Sequence, residues 1–168
     1  MEHKTAEKTA YLGLMTTLAV IMGYVESLIP SFFPVPGIKL GLANIVIVFI
    51  LYRYGSGYAL SVSIVRIILT GLLFGNIFGI FFSFSGTLLS IPVMYFLKRS
   101  GRFSVIGVCV AGAAFFNVGQ IIAAMLVAGP AIFRYLPVLL IAGEAAGIII
   151  GIIVYMVIKR TSRPLTNM

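Results

Sequence analysis

The sequence contains no aspartate, and its only carboxylate side chains are Glu2, Glu7, Glu26 and Glu144. Aspartate-rich magnesium sites of the kind that handle diphosphates therefore cannot be built from this chain alone. One cysteine, Cys109, and one histidine, His3 in the polar N-terminal stretch, leave no intramolecular disulfide, no zinc-type cluster and no Ser/His/carboxylate triad. A phosphate-cradling GxxxxGK(S/T) loop is absent too, which removes that route to nucleotide hydrolysis. The expectation is a chain that is not an enzyme by itself and holds neither a metal nor an organic cofactor.

Charge is equally scarce. Charged residues make up 10% of the 168 positions and apolar ones 61%, against roughly 25% and 45–50% in soluble domains. So few charges cannot cover a water-facing surface, so most side chains must face lipid or other helices. The net charge of +8 would suggest nucleic acid in a soluble protein. Here the basic residues sit in short clusters between apolar runs, which is a topology signal and implies no nucleic-acid partner.

Six apolar runs can be placed, at 11–29, 40–54, 58–73, 77–97, 105–128 and 135–158, each near the roughly 20 residues needed to cross a bilayer except the short second and third. The predicted fold class is all-α, a polytopic bundle of six transmembrane helices. Its predicted organisation is a cytoplasmic segment at 1–10, a membrane domain at 11–158 and a basic tail at 159–168. Lys4, Lys8, Arg53, Lys98, Arg99, Arg102, Lys159, Arg160 and Arg163 fall on one face, Lys39 and Arg134 on the other. By the positive-inside rule both termini are cytoplasmic, in a multi-pass protein of the cytoplasmic membrane.

Between the first two runs, PSFFPVPG at 30–37 has three prolines that forbid regular helix and enough apolar side chains to pack down on the bundle. Glycines recur every fourth residue at Gly71, Gly75 and Gly79 and again at Gly143, Gly147 and Gly151. That spacing lines one helix face with hydrogen atoms and points to close helix packing. Ionisable groups inside the spans are Glu26, Arg66 and Glu144, each of which costs about 2.5–3.5 kcal/mol at a helix centre unless paired or hydrated. With Lys39, Asn44, Asn76, Asn117 and Gln120 they fall in the middle-to-outer zone. An outward-opening polar cavity would gather them; the competing reading is that Glu26 or Glu144 neutralises Arg66 or Lys39 to lock helices together.

The stretches YVESLIP at 24–30, PGIKLGLANIV at 36–46, LLFGNIFG at 72–79, FSFSGTLLSIPVMY at 82–95 and FFNVGQI at 115–121 resemble the family called heptaprenyl diphosphate synthase component I, also labelled the Gx transporter family. The architecture also resembles the S components of energy-coupling-factor (ECF) transporters, six-helix membrane subunits that bind vitamins under an outer loop. That resemblance implies a small-molecule substrate held by Lys39, Asn44, Arg66, Asn76, Asn117, Gln120 and Glu144. It also implies an ECF coupling subunit, contacted through Ala6 and Ala10 on the first helix, and two partner ATPases. The family label implies instead a non-catalytic accessory subunit of a soluble prenyl diphosphate synthase or of quinone-linked electron transfer. A third possibility is a scaffold assembled through the glycine stripes.

Overall fold

The computed structural model of the protein describes residues 2–28, 41–75 and 77–161. The apolar runs become six α-helices: α1 (Glu2–Leu28), α2 (Leu42–Arg53), α3 (Ser56–Phe74), α4 (Ile77–Ser100), α5 (Val105–Ala128) and α6 (Leu136–Thr161). A short 3-10 helix, Pro130–Tyr135, leads into α6. Among the described residues there is no strand. All the α-helices except α2 are long and apolar enough to cross a membrane. Their outward faces carry large apolar side chains, with Leu72, Ile77, Leu126 and Ile141 among the most exposed. A surface of this kind needs hydrocarbon as its solvent, and the protein is a multi-pass membrane protein.

Residues 2–10 form the opening turns of α1 and continue into the first apolar span. Lys, Glu and Ala are good helix formers. The hydropathy pattern reports only where the helix meets lipid, here Ala6–Leu28.

The basic helix ends meet at one end of the bundle. Lys98 Nζ donates to the carbonyls of Leu51 at 2.8 Å and Tyr52 at 3.2 Å, satisfying acceptors that the end of α2 leaves without intrahelical partners. Lys8 Nζ lies 4.0 Å from the Tyr58 ring centroid, which ties the start of α1 to the start of α3 by cation–π attraction.

α2 has an unusual position. Seven of its twelve residues are buried: Ala43, Val46, Ile47, Val48, Phe49, Ile50 and Leu51. A helix apolar on all sides belongs in the middle of a bundle. Twelve residues rise only about 18 Å, against a hydrocarbon core of about 30 Å. With Arg53 at the basic end, the N-terminus of α2 therefore stops inside the membrane, where its free N–H groups need a partner.

The second half of the chain is welded by glycine. A Cβ on Gly119 would lie 2.6 Å from the Ser85 carbonyl oxygen and 2.8 Å from Gly86 Cα, so α4 and α5 cross with their backbones touching. A Cβ on Gly147 would lie 3.0 Å from Val110 Cα and one on Gly151 2.7 Å from Ile106 Cα. The stripe Gly143–Gly147–Gly151 is thus the face α6 lays against α5. The other stripe is broken: α3 stops at Phe74, Gly75 caps it, and Gly79 belongs to α4.

Candidate functional site

The buried N-terminus of α2 opens onto a cavity at the centre of the bundle. Gly41, which caps α2, has φ +76°, a left-handed conformation that L side chains rarely adopt. A Cβ there would also meet Ile150 Cδ1 at 2.9 Å. Its N–H donates to Glu26 Oε1 from the last turns of α1. A carboxylate at a helix N-terminus satisfies the free donor and complements the helix dipole. Glu26 is therefore a latch between α1 and α2.

Around this latch the cavity is walled by Asn44 from α2, Arg66 from α3, Ser83 from α4, Phe116 and Asn117 from α5, and Gly143 and Ala146 from α6. Its empty space is about 530 Å³ counting the part open to the outside. Only a fraction is enclosed, enough for a group of a few heavy atoms.

Arg66 is the electrostatic centre. It is partly buried, and its Nε is enclosed with no hydrogen-bond partner among the described residues. Glu26 attracts it through space, yet among the described residues the two form no ion pair. An enclosed guanidinium N–H without a partner inside a membrane domain is costly, so the bundle tolerates an unspent donor at this point.

Asn117 is differently employed. Its Nδ2 donates to the Leu139 carbonyl at 2.6 Å, bridging α5 to α6, and this amide fills the space a side chain on Gly143 would need. One N–H of the Asn117 amide is thus committed to packing, leaving the second N–H and the Oδ1 acceptor.

A second chamber adjoins the first, sharing Asn44, Ala113, Phe116 and Ile150. Ile47, Val48, Ile91 and Met94 make it largely apolar, with hydroxyls from Ser63, Thr87 and Ser90 along one side. The Ser63 and Thr87 oxygens lie 3.4 Å apart, and Ser90 donates to the Gly112 carbonyl at 2.8 Å. These hydroxyls have partners on the neighbouring helices, so the inner chamber offers mainly apolar contact.

Of the residues singled out from sequence, Asn44, Arg66 and Asn117 come together in the cavity wall. Gln120 is buried beyond Asn117 on α5 with Oε1 unpartnered, but does not line this cavity. Glu144 is not brought to it: the residue is exposed on the outer surface of α6, with Ile141 and Ile148 exposed one turn to either side. Ala6 and Ala10 are exposed on α1. Lys39, Asn76 and the 30–37 loop lie outside the described residues. The sequence places Glu26 in the polar zone that a cavity would gather but not among the ligand residues, and gives no place there to Ser83 or Phe116. A serine at the middle of an apolar run was the available signal for Ser83.

The chain matches the family model described as heptaprenyl diphosphate synthase component I over residues 15–157. It belongs to that family. The match takes in every element of the cavity wall, so the component I family includes the membrane bundle itself. No curated protein and no solved structure matches the chain.

Proposed function

We propose that this component I protein is a non-catalytic membrane subunit that captures a small molecule, in the manner of the S components of ECF transporters. The observation that carries the reading is Arg66, whose guanidinium faces a central cavity with its Nε enclosed and unpartnered. A purely structural arginine would hold its carboxylate in direct contact, because an enclosed donor left without a hydrogen bond inside a membrane is costly. The basic helix ends support an orientation with both termini cytoplasmic in the cytoplasmic membrane, and the cavity in the other half. A transporter of this kind would need a coupling subunit and two ATPases from other chains, with Ala6 and Ala10 as the contact on α1.

A second reading rests on the family description. As component I of a prenyl diphosphate synthase, the chain would anchor a soluble synthase component at the membrane. The exposed basic turn from Arg99 to Arg102 between α4 and α5 is the surface it would use.

Native mass spectrometry of the protein, purified in mild detergent from cells that make it, separates the two. Capture predicts a small molecule that stays bound to the wild type and is lost in Arg66→Ala. Copurification of a soluble synthase, with no small molecule and no effect of Arg66→Ala, would replace capture by the accessory role.

A further inference from the structure

Resting on the capture reading, we infer that the cavity takes the polar head of a molecule with no net charge, one that presents an acceptor and a donor side by side, with a short apolar body behind it. Three observations lead there. First, the charged side chains that line the cavity among the described residues are one cation, Arg66, and one anion, Glu26. They attract through space and form no ion pair among the described residues, so the described wall is neutral in sum but carries both signs. An anion would gain from Arg66 and lose to Glu26, and a cation the reverse; a bipolar head gains from both.

Second, the other anion-binding feature is already occupied at its first donor. The N-terminus of α2 would attract a carboxylate or phosphate, but the protein's own Glu26 carboxylate holds the Gly41 N–H. An anionic ligand would have to displace it. Third, the remaining polar wall does not discriminate for negative charge: Asn117 spends one amide N–H on Leu139 and keeps the other beside its Oδ1 acceptor, and Asn44 and Ser83 can each donate or accept. The adjoining chamber, with Ile47, Ile91 and Met94 in its wall, gives the apolar body a place to lie. A carboxamide or lactam edge and a zwitterion share this head chemistry.

Thermal-shift measurements on the detergent-purified full chain test the inference with four probes: nicotinamide as the neutral amide, glycine as the zwitterion, and acetate and inorganic phosphate as simple anions. Nicotinamide or glycine should raise the melting temperature by several degrees at millimolar concentration, and which of them does so separates amide from zwitterion. Their apparent affinity should fall at least tenfold both in Arg66→Met and in Glu26→Gln, while the two anions have no effect. Gln at 26 keeps an acceptor for the Gly41 N–H, so a loss there reports charge and not unfolding.

A shift by phosphate or acetate equal to or larger than that of the neutral probes would overturn the inference and leave capture standing. So would a neutral-probe response unchanged in Glu26→Gln. If no probe acts, the net charge of the molecule that copurifies decides: zero upholds the inference and negative overturns it. If nothing copurifies either, capture and its ligand class fall together.

Discussion

The two halves of the bundle are held by different means. α4, α5 and α6 touch backbone to backbone at Gly119, Gly147 and Gly151, with hydrogen bonds from Ser90 to the Gly112 carbonyl and from Asn117 to the Leu139 carbonyl beside those contacts. α1, α2 and α3 meet through side chains: Thr70 against Gly23, the Glu26 carboxylate on the Gly41 N–H, and Lys8 over Tyr58. The cavity lies where the two halves join, with Glu26, Asn44 and Arg66 from the first and Asn117 and Gly143 from the second. The difference teaches where polar function can be accommodated in lipid. Small residues make a closely packed frame that needs no charge, and the half held mainly by side chains can carry the charged groups.

Breaking the frame should cost most. In Gly119→Ala the new methyl meets backbone on α4 that cannot rotate away, and a loss of about 3 kcal/mol is expected, at the upper end for overpacking; unfolding in mixed micelles measures it. Breaking the side-chain half should cost less. Glu26→Ala removes a charge-assisted bond to the start of α2 and should lower stability by about 2 kcal/mol, whereas Glu26→Gln should recover most of it. Asn117→Leu loses the bridge to Leu139, worth about 1 kcal/mol in membrane proteins, and reads out as a smaller fall in melting temperature. Gly13, exposed on α1 with nothing within 4 Å of an added Cβ, sharpens the contrast: Gly13→Ala should be neutral or stabilise by up to about 1 kcal/mol. A Gly13 effect as large as that of Gly119 would erase the distinction between the halves.

The helices were legible because lipid leaves so few ways to arrange a backbone; the runs at 77–97 and 105–128 lie within or on the observed bounds of α4 and α5. The glycine stripe on α6 was legible for the same reason. Its corollary was available too. Gly143 faces α5, so Glu144, about 100° further round the helix, points away from that neighbour. Depth along the span placed it with the cavity residues, and azimuth takes it out to the exposed face. The role of Glu26 could not be read from sequence. Its partner is a main-chain N–H on another helix, and only the half-length course of α2 brings that N–H to the depth of Glu26.

The central claim is that Arg66 is kept unpaired at a cost to stability because it serves a ligand. Equilibrium unfolding of Arg66→Met without ligand tests this most directly, since Met retains much of the volume and removes the charge. The account predicts a variant more stable than the wild type by about 2 kcal/mol, as expected when a functional site stores unfavourable charge. A variant less stable by a similar amount would show that Arg66 already has its partner within the bundle, and would contradict the account.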